Sequence, residues 1–397
     1  MVTCSIFFRT ICVALVTLLI SSYSGAQPIT KSVDLVSPEI SENRQITFRL
    51  YAPDANEVTI TGEWINEYNR ASEKLIRSPD GIWSITTSSL KEDLYVYYYN
   101  VDGVRALDPG NPYIVRSSGN LYANYVVVSG RQSNLYGYNN VPHGTLSKIW
   151  YESPIMGMKR RVFVYTPPGY ETGRKNYPVL YLLHGGLQDE EAWSNCGRVV
   201  QILDNLIASG AAEPMIVVMP NGNGNQMASP NDIKPLDAVQ NEASVFADAA
   251  LFSQSMVKDI VPFIERNFRV VKNKDHRAIA GLSLGAINTQ TIVNDSPGMF
   301  SYIGVFSFGI RNLGKSPEEI DRETIIREQK IEILKQAGYK LYWIGCGKED
   351  FVYSSVVELK KVLDKHNLSY VYQESAGGHT FSNWRLYLSE FIPLIFK

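Results

Sequence analysis

Six apolar runs of strand length recur through the C-terminal part of the chain, and they constrain its fold more than any other feature. The runs are YPVLYLLHGG (177–186), EPMIVVMPNG (213–222), HRAIAGLS (276–283), SYIGVFSFG (301–309), KLYWIGCG (340–347) and SYVYQESAGG (369–378). Helical segments separate several of them. Strands that are apolar on both faces are typical of a parallel sheet covered by helices on both sides. The pattern therefore predicts an α/β fold, with a mostly parallel sheet, over residues 147–397.

The region before these runs has a different pattern. Its strand-like segments are RQITFRLYAP (44–53), EVTITGEW (57–64), GIWSITTSSL (81–90) and DLYVYYYNVDG (93–103), and Pro, Asp and Gly separate them. Short strands with such turn signals predict a small all-β sandwich over residues 27–129. The polar, Gly- and Asn-rich stretch over residues 130–146 is predicted to connect the two domains.

The first 26 residues have the composition of a signal peptide. Arg9 is their only charged residue, residues 11–20 are strongly apolar, and Ser24 and Ala26 are placed for cleavage before Gln27. We therefore expect export to the periplasm or the extracellular space. A retained membrane anchor is the alternative, but this apolar stretch is too short to span a bilayer comfortably.

Charge and cysteine content narrow the classes of function. The formal net charge of −2 over 397 residues gives no reason to expect nucleic acid or an anionic membrane as a partner. Small molecules or neutral polymers fit better. After cleavage of the signal peptide only Cys196 and Cys346 remain, and we expect two unpaired, buried thiols. Disulfide pairing stays open, because the sequence does not place the two Cα atoms.

The segment IAGLSLGA (279–286) contains a G-x-S-x-G motif at the junction of a predicted strand and a predicted helix. This is the position of a nucleophile elbow, in which Ser283 would sit on a sharp turn. Side chains at Gly281 or Gly285 would collide with the neighbouring strand or helix. We therefore predict that Ser283 is a nucleophile.

A serine nucleophile needs a base, and in this fold class the base follows the serine and the acid in the chain. Only His366 and His379 lie after Ser283. His366 belongs to a charged helical stretch and is expected at the surface. His379 follows the last apolar run, where ligands bind in open α/β sheets, and it is the predicted general base and acid.

The predicted acid of the triad is Asp350, in the turn after the apolar run that ends at Ile344. Glu349 is its direct competitor, because the same turn could aim either carboxylate at the imidazole. Asp364 lies in the same interval, but its surroundings are typical of an exposed helix face.

The stretch LLHGG (182–186) follows the first strong parallel strand, where enzymes of this class present backbone donors to an oxyanion. The predicted donors are the amide of Leu284 and an amide of Gly186 or Leu187. His184 is expected to be structural, since no metal-ligand spacing surrounds it. No metal and no organic cofactor is predicted.

These residues resemble the "Putative esterase" family within the α/β-hydrolases, which includes feruloyl and acetylxylan esterases of carbohydrate esterase family 1, enterochelin esterases, S-formylglutathione hydrolase and mycolyltransferases. The resemblance extends from about residue 141 to the end, and its stretches include YPVLYLLHGG, RAIAGLSLGA, GCGKED and GGHTFSNWR. It implies Ser283, Asp350 and His379 as the triad. Ala286 departs from the family pattern, because many relatives have a second glycine there. The N-terminal region resembles the early-set sandwich found ahead of glycogen-branching enzymes.

The resemblance implies a secreted serine esterase that acts on plant hemicellulose, with xylan or arabinoxylan oligosaccharide esters as partners. The first expected substrate class is feruloyl esters on arabinoxylan, and the second is acetylated xylan. A siderophore esterase and a noncatalytic glycan-binding protein are the alternatives from other classes. Trp193 and Trp384 are candidates to grip an aromatic acyl group, although packing under the loops explains them equally well.

The sandwich itself is a candidate for weak glycan contact. Trp64, Trp83 and the tyrosines of YVYYYN could stack on sugar rings, but strand alternation buries about half of them. The alternative interpretation is that this domain is a spacer, or a wall that completes the active-site cleft.

Overall fold

The computed structural model describes residues 35–65, 71–118, 121–223, 250–310, 312 and 314–397. The predicted signal peptide, residues 1–26, lies outside these ranges. In the part of the chain that is described, no helix is both long enough and apolar enough to cross a bilayer.

The first domain is a sandwich of two antiparallel sheets, as the sequence predicts. Its strands are β1 (Glu39–Ile40), β2 (Ile46–Tyr51), β3 (Val58–Gly62), β4 (Ser72–Lys74), β5 (Ile76–Arg77), β6 (Ile82–Thr86), β7 (Asp93–Val101), β8 (Val104–Ala106), β9 (Ile114–Ser118) and β10 (Leu121–Val128). One sheet has the order β1-β2-β6-β5, and the other has the order β4-β3-β7-β10-β9 with β8 paired to β7. Alternate residues of β2 are buried, as expected for a strand with one face on a core.

Half of the sandwich aromatics named from the sequence are buried core residues, and Trp64 packs against the same core. Trp83, Tyr97 and Tyr99 are buried, and the Trp83 indole Nε1 donates to the Ala52 carbonyl over 2.9 Å. Trp64 stacks on Phe48 with their ring centroids 4.9 Å apart. These rings are therefore committed to packing, because a ring enclosed in a core cannot stack on a sugar.

The second domain is built on one eight-stranded sheet. Its strands are β11 (Thr145–Ser153), β12 (Met158–Thr166), β13 (Val179–Leu183), β14 (Ile216–Pro220), β15 (Arg277–Leu282), β16 (Tyr302–Phe306), β17 (Leu341–Gly347) and β18 (Val371–Ser375). The order is β11-β12-β14-β13-β15-β16-β17-β18. The six predicted apolar runs form β13 to β18, which pair in parallel. The antiparallel pair β11 and β12 at one edge was not predicted.

Helices cover both faces of this sheet. They are α1 (Val199–Ala208), α2 (Val261–Asn267), α3 (Leu284–Asp295), α4 (Pro317–Ala337), α5 (Tyr353–Lys365) and α6 (Phe381–Phe391). One apolar core joins the sheet to α2, α3, α4 and α5, and a second joins its other face to α1 and α6. Cys346 lies in the first core and Cys196 in the second, so the sheet separates them. Both thiols are free and buried, as predicted.

The two domains share a core. The second apolar core also contains sandwich residues such as Leu94, Val115 and Tyr125. The predicted connection packs against the second domain as well, because Tyr136 is 1% exposed and its carbonyl accepts from Arg198 Nε. Strand β11 begins at Thr145, two residues before the predicted boundary at residue 147.

In the described part of the chain, two largely buried ion pairs also cross between the domains. Arg116 of β9 contacts the Asp189 carboxylate at 2.6 Å, and both side chains are at most 5% exposed. Arg385 of α6 contacts Asp93 of β7 at 2.9 Å and donates to the Cys196 carbonyl. Removing one partner of such a pair would strand a buried charge, so these contacts fix how the domains dock.

Candidate active site

Ser283 lies on the sharp turn between β15 and α3. Its backbone has φ of 51° and ψ of −115°, a strained conformation for a residue with a side chain. A Cβ at Gly281 would come within 2.3 Å of the Gly285 carbonyl oxygen, and one at Gly285 within 2.5 Å of the Leu183 carbonyl oxygen. Only glycine fits at either position, so the steric reason predicted for the motif is confirmed.

Asp350 and His379 form a hydrogen-bonded pair at the same edge of the sheet. Asp350 follows β17, His379 follows β18, and His379 Nδ1 lies 2.9 Å from Asp350 Oδ1 and 3.0 Å from Oδ2. The Asp350 carboxylate is fully buried and also accepts from the backbone N–H of Val352. This contact holds Nδ1 towards the acid and leaves Nε2 as the nitrogen that can exchange a proton with substrate.

Two aromatic rings enclose the imidazole of His379. The Phe351 ring lies 4.5 Å away at a tilt of 48°, and the Trp384 ring meets it edge-on at 5.0 Å. Asn383 holds the loop that leads to His379, because its Nδ2 donates to the Gly378 carbonyl over 2.9 Å. The imidazole of His379 is therefore packed between two rings and hydrogen-bonded to Asp350.

The residues considered as alternatives to His379 and Asp350 make other contacts or face solvent. His366 sits beside Glu328 and Glu332, at 3.6 Å from each. Asp364 accepts from the Tyr370 hydroxyl, and Glu349 is exposed to solvent. Among the described residues, Asp350 is the carboxylate that contacts His379.

Ser283 shares the carboxyl edge of the parallel strands with this pair. β16 lies between β15 and β17, so the three side chains come from neighbouring strand ends. Within the described residues, no hydrogen bond joins the Ser283 hydroxyl to His379. Catalytic hydrogen bonds are often long in ligand-free structures and tighten when substrate binds.

The loop after β13 lies against Ser283. A Cβ at Gly185 would be 3.4 Å from Ser283 Cβ and 2.6 Å from Leu282 Cδ1. The Gly185 amide is engaged, since it donates to Gln188 Oε1 over 3.0 Å. Gly186 and Leu187 follow in the same turn, and Leu284 is the first residue of α3, where backbone N–H groups have no helical acceptor. The backbone amides of Gly186, Leu187 and Leu284 therefore remain the predicted donors to an oxyanion.

His184 is fully buried and links the loop after β13 to the segment after β14. Its Nδ1 lies 2.8 Å from the Gly185 carbonyl oxygen, and its Nε2 accepts from the Gly222 backbone N–H over 2.8 Å. Burial lowers the pKa of His184, which favours the neutral ring. In the described ranges, no cluster of three or more His, Cys, Asp or Glu side chains could hold a metal ion.

An acidic triplet anchors the loop just beyond the predicted donors. Arg116 contacts Asp189, and Arg161 contacts Glu190 at 2.5 Å and Glu191 at 3.0 Å. Burial and the neighbouring Asp189 raise the pKa of Glu190 to about 7, against the attraction of Arg161. The charges of both arginines are therefore directed at this triplet.

The two tryptophans named from the sequence are packing residues, which corrects the expectation that they grip an acyl group. Trp193 is 1% exposed, and its Nε1 donates to the Leu183 carbonyl over 2.9 Å. Trp384 is 5% exposed, and its Nε1 donates to Ser307 Oγ over 3.0 Å. Each ring is enclosed by other side chains, so neither offers a free face to a ligand.

Sequence reasoning missed Ser307, Asn383 and Phe351. Ser307 ends the apolar run of β16 and Asn383 lies in GGHTFSNWR, but neither sequence position separates a supporting side chain from an ordinary loop residue. Phe351 follows Asp350 directly, and this adjacency is the one sequence signal that could have pointed to it.

Comparison with known proteins agrees with this architecture. The model of the family described as "Putative esterase" matches residues 153–394, and that of carbohydrate-binding module 48, the isoamylase N-terminal domain, matches residues 36–115. An endo-1,4-beta-xylanase/feruloyl esterase of Xylanibacter ruminicola is 29% identical over 369 residues, which cover 91% of this chain and 46% of that protein. The chain thus spans less than half the length of this relative.

Solved structures show the same fold. A CE1 ferulic acid esterase from Anaeromyces mucronatus has a TM-score of 0.55 at 23% identity, over 66% of this chain and 93% of that one. The enterobactin esterase of Shigella flexneri has a TM-score of 0.65 at 14% identity, over 92% of this chain and 97% of that one. With more than half of its length inside the matched family model, the chain belongs to the "Putative esterase" family and has an α/β-hydrolase domain behind a domain of the carbohydrate-binding module 48 type.

Proposed function

We propose that this protein is a serine carboxylic ester hydrolase with Ser283 as nucleophile, His379 as base and Asp350 as acid. The observation that supports this most is the buried Asp350–His379 contact of 2.9 Å at the sheet edge that also presents the Ser283 elbow. A serine at such an elbow and a carboxylate-oriented histidine are the parts that acyl transfer requires.

In this mechanism the Ser283 hydroxyl attacks the ester carbonyl while His379 Nε2 takes its proton. The negative charge on the tetrahedral intermediate is stabilised by the amides of Leu284 and of Gly186 or Leu187. His379 then returns the proton to the departing alcohol. Water, activated by the same imidazole, attacks the acyl-serine and releases the acid.

We propose hydroxycinnamoyl, chiefly feruloyl, esters on arabinoxylan fragments as substrates. The relative from Xylanibacter ruminicola combines xylanase and feruloyl esterase in its name, and it aligns with 91% of this chain. A cavity of about 700 Å³ lies between the domains, lined in part by Tyr113 and Tyr138, which are 53% and 66% exposed. Exposed tyrosine rings suit glycan contact, and the match to a carbohydrate-binding module supports a polysaccharide partner.

Two other ester classes remain as candidates. Acetylated xylan would use the same triad with a smaller acyl group. A triscatecholate siderophore is raised by the fold likeness to the Shigella flexneri enterobactin esterase, which extends over both domains. Such a ligand would need a cationic pocket, but Arg116 and Arg161 beside the loop both contact carboxylates. This pairing favours the neutral glycan ester.

We also propose that the protein is exported. The support is the N-terminal composition: one charged residue, an apolar stretch and small residues before Gln27. Arabinoxylan is a polymer outside the cell, which fits an exported esterase.

The decisive experiment incubates one purified sample with arabinoxylan oligosaccharides that carry both feruloyl and acetyl groups and measures the release of each acid. We expect ferulate release to dominate and Ser283→Ala to abolish both activities while the fold is retained, as judged by circular dichroism. Acetate release alone would replace the feruloyl assignment. Wild-type activity in Ser283→Ala would overturn the serine mechanism.

A further inference from the structure

Two large apolar side chains border the site and are open to solvent. Phe351 is 70% exposed and follows Asp350, while Leu187 is 77% exposed and follows the Gly185–Gly186 pair. Neither side chain gains much from folding, because most of its apolar surface stays in water. Exposed apolar residues beside a reactive centre are more informative than the same residues elsewhere on a surface.

Leu187 also has an unfavourable backbone conformation. Its φ is +59°, in the left-handed region that bulky side chains rarely adopt. Glycine would relieve this strain, and two glycines stand immediately before it. The strained backbone belongs to the turn of the predicted oxyanion donors, whereas the exposed side chain adds nothing evident to the stability of the fold and is available to contact a ligand.

Phe351 combines one fixed contact with a large exposed area. Its ring packs on the His379 imidazole at a centroid distance of 4.5 Å. Its neighbours in the chain, Asp350 and Val352, are 4% and 8% exposed, so the turn is anchored on both sides of the ring. The aromatic ring is therefore held in place at the mouth of the site and offers free surface for stacking.

The two residues follow strands that lie on opposite sides of β15, the strand that leads to Ser283. Leu187 follows β13, Phe351 follows β17, and β15 lies between these strands in the sheet. We infer that Phe351 and Leu187 form an apolar rim that binds the aromatic ring of the acyl group. This inference rests on the proposed function. It gives the rim the role that Trp193 and Trp384, enclosed in the core, do not fill.

The test uses two substrates with one leaving group, 4-nitrophenyl ferulate and 4-nitrophenyl acetate. The alcohol is identical, so the ratio of their kcat/KM values reports acyl recognition, and it does not depend on the fraction of active enzyme. We expect Phe351→Ala to lower the ferulate-to-acetate ratio roughly tenfold, mainly through KM, because a stacking partner and its apolar contact are lost. Leu187→Ala keeps the constrained Cβ and should lower the ratio by a smaller factor.

Matched controls separate the rim from other causes. Ile76→Ala removes an equally exposed apolar side chain, 78% exposed on the sandwich, and should leave the ratio unchanged. Phe351→Leu keeps apolar packing on His379 but removes the aromatic ring, and its ratio should lie between those of wild type and Phe351→Ala. The pH profile of acetate hydrolysis should keep its midpoint in both Phe351 variants.

An unchanged ratio or a shifted pH midpoint would overturn the inference. An unchanged ratio in Phe351→Ala and Leu187→Ala would remove the rim from acyl recognition. An equal loss for both substrates, or a shifted pH midpoint, would make Phe351 a positioning residue for His379. Failure of the proposed function is distinct, since it would appear as activity in Ser283→Ala, whereas an inactive Ser283→Ala with unchanged ratios would reject the rim alone.

Discussion

Among the described residues, two Asp–His pairs have the same contact distance in different surroundings. His379 Nδ1 lies 2.9 Å from Asp350, and His143 Nδ1 lies 2.9 Å from Asp204. The His379 side chain is 11% exposed and two aromatic rings pack on it, whereas the His143 side chain is 55% exposed. In both pairs the carboxylate is buried. The contact distance alone therefore does not distinguish a proposed catalytic pair from a structural one.

The surroundings of the two carboxylates make the difference. Asp204 lies in α1 and accepts from His143, from the Gly144 backbone N–H at 3.0 Å and from the Tyr165 hydroxyl at 2.7 Å. These contacts fasten the interdomain connection to the second domain. Asp350 instead follows a parallel strand at the edge that presents Ser283. The location of each pair in the fold thus places one at the sheet edge of Ser283 and the other where the connection meets the second domain.

The largest expected difference between the two pairs appears when each histidine is replaced in turn by glutamine. His379→Gln should lower kcat on 4-nitrophenyl acetate by roughly 10⁴-fold or more, because the base that activates the serine is lost. The matched variant His143→Gln removes an exposed partner and should change stability by less than about 1 kcal/mol. Steady-state kinetics and urea unfolding of both variants measure this contrast. Equal activities would erase the distinction between the two pairs.

Replacing the carboxylate of each pair should change a different measured quantity, kcat for one pair and the free energy of unfolding for the other. Asp350→Asn should lower kcat by about 10⁴-fold, because the amide favours the wrong tautomer of His379. Asp204→Asn should leave kcat near the wild-type value and lower the free energy of unfolding by about 2 kcal/mol, since a buried acceptor of three hydrogen bonds is weakened. A large loss of kcat in Asp204→Asn with the fold intact would assign this pair to catalysis.

The smallest expected effect sharpens the assignment of the acid itself. Glu349 is exposed next to Asp350, so Glu349→Gln should leave kcat within about twofold of wild type, because exposed charges are strongly screened. The same kinetic assay measures it beside Asp350→Asn. If Glu349→Gln were the more damaging change, the roles of the two carboxylates would be reversed.

Much of the candidate site could be predicted because its residues are defined by local order along the chain. Ser283, Asp350 and His379 each follow an apolar run, and the carboxyl ends of parallel strands meet at one edge. The need for glycine at 281 and 285 is likewise local, since both lie in the turn that they make possible. In contrast, β11 and β12 were missed because an antiparallel edge pair lacks the fully apolar pattern of the central strands.

The roles of the aromatic residues could not be predicted in this way. Trp193 and Trp384 are close in sequence to site residues, yet both are enclosed in the core, while Phe351 and Leu187 stay exposed. Exposure depends on which loops and helices pack over a side chain. The contacts that decide it, such as Trp384 with Ser307, join residues far apart in the chain.

The sequence by itself determined the two-domain order, the parallel sheet, the sharp turn at Ser283 and the positions of Asp350 and His379 after their strands, because strand periodicity and turn chemistry act over a few residues. Only the tertiary structure decided that Asp350 and not Glu349 meets His379, that the sandwich docks on the second domain through ion pairs, and which aromatic rings face solvent. These outcomes arise from many weak contacts between distant segments, and no local pattern in the chain records their balance.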